Sequence, residues 1–144
     1  MWSFLLLNKE NFGKYGKGPQ NMLYTESLKK KKDFQTVYKS GVSFANKYLV
    51  MYKIKNNIER NRLGISVSKK VGNSVIRHRI TRLIRESYRL NEEKFEKGYD
   101  LVVVARVNAK GIRYSDMESA LLHMAKLQKI RRDVNDEKNI NLHD

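Results

Sequence analysis

The sequence predicts a single α+β domain, and three observations carry that reading. Apolar and polar or small residues alternate over residues 47–55 and 62–68, the period of strands with one buried face. Residues 32–40, 74–90 and about 115–129 instead place apolar side chains at helical spacing. Leu101-Val102-Val103-Val104-Ala105 is a continuous apolar run rich in β-branched residues, short enough to be a buried central strand. A chain of 144 residues has room for one domain with a modest core. That domain is expected over residues 22–130. Residues 1–21 read as a disordered extension or a misassigned start, and 131–144 as a polar, fraying tail.

Residues 25–32 read as a basic arm ending in four lysines. The helix at 32–40 sets Phe34, Val37 and Tyr38 on one side, with Gly41 as its stop. In the strand at 47–55, Tyr48, Val50, Tyr52 and Ile54 point one way and Leu49, Met51 and Lys53 the other. Asn56-Asn57 begins the turn to the strand at 62–68. Gly72 and Asn73 tolerate positive φ, and Ser74 is placed to cap the next helix. In that helix Ile76, Ile80, Leu83, Ile84 and Ser87 share one face. Lys97-Gly98 closes the segment before the apolar strand, and Ser115 with Glu118 has the spacing of a capping box for the last helix. Met117, Ala120, Leu121, Met124 and Leu127 then face inward.

Charge says what the domain meets. The net charge is +15, which implies a polyanionic partner. It is uneven: +7 over residues 1–59, +8 over 60–89, and zero over 90–144. The outer face of the helix at 74–90 is almost all arginine, with Arg79, Arg82, Arg85 and Arg89 beside His78, and Arg77 near its border. Solvated faces normally mix both signs. A guanidinium stays ionised and offers a planar fork of donors that matches phosphate oxygens in pairs. A nucleic-acid surface is the reading that follows. There is no cysteine, hence no disulfide framework or thiolate metal site, which is compatible with a cytoplasmic protein. No apolar run approaches the length of a membrane span.

The stretch around that helix resembles the protein subunit of bacterial ribonuclease P. Gly64, Val67, Lys69, Lys70, Gly72 and Val75 match the first half of the family signature, and Arg77, Arg79, Arg82 and Arg85 the second. His78 stands where the family usually has Asn, and Thr81 where it usually has Lys, which removes one positive charge. The resemblance runs from about residue 28 to 129. It implies an α-β-β-β-α-β-α order and a mixed four-stranded sheet, the second-domain fold of a small-subunit ribosomal protein. It also implies a left-handed βαβ crossover, against the general right-handed rule.

The resemblance further implies that Lys69, Lys70, Arg77, Arg79, Arg82 and Arg85 bind the catalytic RNA. Phe34, Tyr38, Val50 and Tyr52 align with a cleft that receives the single-stranded 5′ leader of precursor tRNA. From spacing alone, aromatics one helical turn apart are more often core than a stacking platform for bases; the resemblance favours the platform. No catalytic or metal-ligating constellation is legible in the protein. Hydrolysis assisted by metal ions needs clustered carboxylates or histidines, and His78, His123 and His143 are scattered. The resemblance assigns cleavage of the leader to the RNA subunit with Mg²⁺ that the RNA mainly holds. The rival readings are a structured-RNA-binding module such as a ribosomal protein, and a DNA-binding protein. The latter lacks a positioning helix ahead of residues 74–90, where a strand precedes instead.

Overall fold

The computed structural model describes residues 22–132, so the expectations for 1–21 and for most of the tail lie outside the described residues. The elements are β1 (Thr25–Ser27), α1 (Lys31–Ser40), β2 (Val42–Ala45), β3 (Leu49–Lys55), β4 (Asn61–Ser66), α2 (Ser74–Leu90), β5 (Tyr99–Ala105) and α3 (Tyr114–Leu127). Short 3-10 turns follow α2 and β5. No helix among the described residues is long and apolar enough to cross a membrane.

The strands form one mixed sheet in the order β1-β4-β5-β3-β2. β1 and β5 run parallel to β4, and β3 runs antiparallel to both β5 and β2. The sheet therefore has five strands rather than four. The additions are both edges. β2 is exposed throughout and β1 is only three residues long, lying inside the stretch read as a basic arm. Neither carries the burial alternation that marks a strand in sequence; backbone pairing with a neighbour is what defines them.

β5 is central and buried, as its apolar run requires. Leu49, Met51, Leu63, Leu101 and Val103 face α2 and α3 and join Ile80, Ile84, Tyr88, Met117, Leu121 and Met124 in the main core. Among the described residues the opposite face is covered by α1 alone, through a smaller cluster of Leu28, Val37 and Val102 with Phe34, Tyr52, Ile54 and Val104 at its edge. The two faces separate an interior side from a groove side.

Two expected caps differ. Asn73, not Ser74, caps α2: its side chain accepts from the Ile76 amide at 3.0 Å. The capping box at the start of α3 does not form. Arg113 occupies the cap position without a side-chain bond, while Glu118 accepts from Asn91 Nδ2 and the Tyr114 hydroxyl, both at 2.9 Å. These two hydrogen bonds, Asn91 first, hold the Glu118 carboxyl below the usual carboxylate range. A tertiary donor outcompetes the local amide. At the other end the chain stays paired past 130, with Arg131 bridging Phe95 and the Arg132 amide donating to the Lys94 carbonyl at 2.7 Å.

Candidate nucleic-acid interface

α2 arranges its arginines by helical geometry. Ile80, Leu83, Ile84, Ser87 and Tyr88 are buried against the sheet and α3, which turns His78, Arg82, Arg85 and Arg89 outward. The arginines are not equivalent. Arg79 donates to the Ile112 carbonyl and so ties α2 to the loop before α3. Arg89 pairs with Glu86. Arg77 and Arg82 have buried Nε atoms without a hydrogen-bond partner among the described residues. Burial first, and then the neighbouring Arg82, pull the Arg85 guanidinium below its ordinary pKa. Such groups are poorly satisfied by the protein and suited to an external anion. Lys69 and Lys70 are exposed in the loop just before the helix. Thr81 donates back to the Arg77 carbonyl at 2.9 Å and presents no charge, and His78 is exposed.

The groove side gathers Phe34, Tyr38, Val50 and Tyr52. Tyr38 meets Tyr52 edge to face, with centroids 5.0 Å apart and planes at 82°, and Phe34 lies 6.3 Å from Tyr38. Tyr38 is 39% exposed, while Phe34, Val50 and Tyr52 are half-buried. Phe34 belongs partly to each of the two readings of the sequence. It packs on the Leu28 and Val37 cluster, yet it is only half-buried. Its seat is Gly64, where a Cβ would come 2.6 Å from the Phe34 Cζ atom. The glycine of the β4 alternation is thus a socket for an aromatic ring.

Strand register orders the groove floor in rows. Ile54, Asp100 and Arg62 form one row; Tyr52, Val102 and Gly64 the next; Val50, Val104 and Ser66 a third. The first row carries an ion-pair cluster that sequence reading missed. Arg62 forks onto Asp100 and also lies 3.6 Å from Asp33 on α1, fixing the helix to the sheet. Alternation places Arg62 two residues before Gly64, on the same face, which was the available signal. Among the described residues no group of three or more His, Cys, Asp or Glu side chains is brought together as a metal site. Asp33 and Asp100 are taken up by Arg62, so this donor set does not suit a protein-held Mg²⁺.

Comparison with known proteins points the same way as the geometry. A family model described as Ribonuclease P matches residues 22–129. The ribonuclease P protein component of Lachnoclostridium phytofermentans is 65% identical over 106 residues, 74% of this chain and 91% of the relative. That of Clostridioides difficile is 52% identical over 103 residues, covering 71% and 90%. Among solved structures, the Staphylococcus aureus RNase P protein superposes with a TM-score of 0.68 at 40% identity, covering 74% of this chain and 97% of that one. The Thermotoga maritima protein gives 0.66 at 32% identity, covering 70% and 96%.

Proposed function

The chain belongs to the ribonuclease P protein family, and from that premise we propose that its two faces serve two RNAs. As a protein component of ribonuclease P it is an RNA-binding subunit in tRNA processing, with the ribonuclease P RNA as its partner. In this reading α2 and the loop before it hold the catalytic RNA through Lys69, Lys70, Arg77, Arg82 and Arg85. Arg79 contributes its remaining donors after bonding Ile112. The groove holds the 5′ leader of precursor tRNA. Phe34, Tyr38 and Tyr52 offer ring faces and edges, and Val50 an apolar floor, chemistry that accepts any base.

The observation that carries the reading is the contrast between the faces. On one, the Nε atoms of Arg77 and Arg82 are buried without an acceptor among the described residues. On the other, half-exposed aromatics line an apolar floor under a single helix. A ribosomal-protein-like binder would account for the first face but not the second. Cleavage of the phosphodiester bond belongs, in this reading, to the RNA subunit and to Mg²⁺ held mainly there, within the cytoplasm. The protein raises affinity for precursor tRNA and supports metal binding by the RNA.

The test is reconstitution with the catalytic RNA. Rigorously RNA-free protein should leave precursor tRNA intact at any Mg²⁺ concentration, and the holoenzyme should mature its 5′ end at low Mg²⁺. Tyr52→Ala should weaken binding of precursors with long leaders, by on the order of 1–3 kcal/mol for a stacked base. Precursors trimmed to one or two leader nucleotides should be unaffected. Cleavage by the protein alone would overturn the division of labour, and a defect independent of leader length would overturn the groove assignment.

A further inference from the structure

The outward side chains of α2 fall in one line. His78, Arg82, Arg85 and Arg89 follow one another at alternating steps of four and three residues. At about 100° per residue their directions stay within about 60° of each other. The protein leaves these groups in different states. Arg89 is taken up by Glu86, the single acid of the helix. Arg82 has its Nε buried without an acceptor among the described residues. His78, which opens the line, is exposed and enters no hydrogen bond or ion pair among the described residues.

The elements around His78 supply no free anion. On α2 itself Arg77 and Arg79 flank it and Arg82 stands one turn on. The loop before α2 brings Lys69 and Lys70, both exposed. The segment tied to α2 through Arg79 and Ile112 carries Lys110 and Arg113. α3 carries Tyr114, Asp116, Glu118, His123 and Lys126. Its two carboxylates are engaged elsewhere: Asp116 lies 3.8 Å from Arg113, and Glu118 accepts from Asn91 and Tyr114. On β4 the charged residue is Arg62, which is on the groove face with Asp100. Glu92 and Glu93 lie beyond the other end of α2.

Thr81 narrows the matter to one group. It stands one turn after His78, and its hydroxyl is spent on the Arg77 carbonyl at 2.9 Å. That position gives an anion neither a charge nor a proton. Ahead of Arg82, the charge on this line therefore rests on one imidazole, the side chain whose protonation changes between about pH 5 and 8. An anion a few ångströms away favours the charged form of such a group. A complex that binds a proton more tightly than its free components forms more tightly as pH falls.

We propose that assembly with the catalytic RNA takes up a proton at His78, so that phosphate on α2 is held by an imidazolium beside Arg82 in mild acid and by the arginines alone in mild alkali. This rests on the reading of α2 as the face for the catalytic RNA. It adds a condition to that reading, the acidity at which protein and RNA meet. The sign follows from the charge of phosphate. The gain in affinity is complete below the titration of the histidine in the free protein and is lost as pH rises through its titration in the complex.

The experiment measures assembly of the full chain with the catalytic RNA at constant Mg²⁺, across about pH 5.5 to 8.5, the range of histidine titration. The parent should assemble several-fold more tightly at the acid end. Its log–log salt slope should be steeper there by roughly 0.7–0.9, the value for one more phosphate neutralised. Calorimetry near neutral pH in two buffers of different ionisation enthalpy should register proton uptake on assembly. His78→Asn keeps a donor without a titratable charge and should lose both the pH dependence and the uptake. His78→Arg should hold the steeper salt slope at every pH. His78 is exposed and bonds nothing, so His78→Asn should keep the parent's thermal midpoint, and a lost pH dependence is then not a folding defect. His123, 3.3 Å from Asn46 Nδ2 on α3, serves as the control: His123→Gln should keep the parent's pH dependence. Proton uptake that persists undiminished in His78→Asn would overturn the proposal, and so would a parent whose assembly ignores pH. If either happened while Arg82→Ala still flattened the salt slope of assembly, only the proton link would fall. If Arg82→Ala left assembly untouched as well, the reading of α2 would fall with it.

Discussion

Gly64 shows how one missing side chain shapes a binding surface. A Cβ there would stand 2.6 and 2.8 Å from two Phe34 ring carbons and 3.2 Å from Leu28 Cδ2. The neighbour is a side chain, so Gly64→Ala can be accommodated only by lifting Phe34 off the sheet. Overpacking of this kind typically costs about 1–3 kcal/mol. The expected outcome is a lower denaturant midpoint together with weaker binding of long-leader precursors, because the displaced ring would fill the groove. A midpoint that falls while leader dependence stays intact would show that Phe34 serves packing alone. Phe34→Ala is a less clean probe, since a half-buried ring loses part of the roughly 3–5 kcal/mol typical of a buried aromatic cut to alanine.

At the scale of the element, α2 divides its arginines between fold and ligand. The Arg82 Nε is buried without an acceptor among the described residues, and Arg85 is disfavoured as a cation by burial and by Arg82. Arg82→Ala and Arg85→Ala should therefore leave the thermal midpoint of the free protein unchanged or slightly raised. Their cost should appear in assembly with the catalytic RNA, whose log–log salt slope should flatten by roughly 0.7–0.9 for each phosphate no longer neutralised. Arg79→Ala should do the reverse in the free protein. Removing its bond to the Ile112 carbonyl should destabilise the domain by about 1.5–3 kcal/mol, the range for hydrogen bonds to charged groups. Calorimetry of the free protein beside salt-dependent assembly separates the two classes. Equal destabilisation by all three variants would remove the distinction.

For the whole molecule, a polar knot joins elements far apart in the chain. The Tyr88 hydroxyl at the end of α2 bonds Thr25 Oγ1 on β1 at 2.9 Å and accepts from Asn61 Nδ2 on β4 at 3.2 Å. Asn61 also accepts from the Tyr99 amide at 3.0 Å and donates to the Glu96 carbonyl at 2.8 Å. Nearby, the Glu92 carboxylate takes the Leu23 amide at 2.6 Å and secures the start of β1. Burial pushes the Tyr88 phenol up to about 12. Its unfolded value is near 10, so the stabilisation is complete below pH 10 and is lost as pH rises through 12. Two units correspond to roughly 2–3 kcal/mol. Tyr88→Phe should be less stable at neutral pH, because Asn61 and Thr25 lose a partner, and should lose less stability than the parent between pH 10 and 12. Parallel alkaline unfolding curves for the two proteins would show that Tyr88 does not control that limb.

The sequence by itself determined what periodicity and charge encode locally. Helices at 31–40, 74–90 and 114–127, the two alternating strands and the apolar β5 lie where one-dimensional patterns put them, within a few residues. The arginine face of α2 was legible because a helix converts spacing into direction without help from the rest of the chain. Pairing partners were not legible. β1 and β2 became strands because β4 and β3 offered them unpaired edges, and Glu118 left its expected cap because Asn91 reached it from the end of α2, beside the Tyr114 hydroxyl of its own helix. The same holds for the groove. Phe34, Tyr38 and Tyr52 stand out in the sequence, but the socket at Gly64 and the Arg62 clamp are made by residues far apart in the chain. Local propensity fixes a residue's direction on its own element; only sheet register and helix docking decide what stands opposite it, because those contacts arise from closing loops whose ends carry no mark of each other.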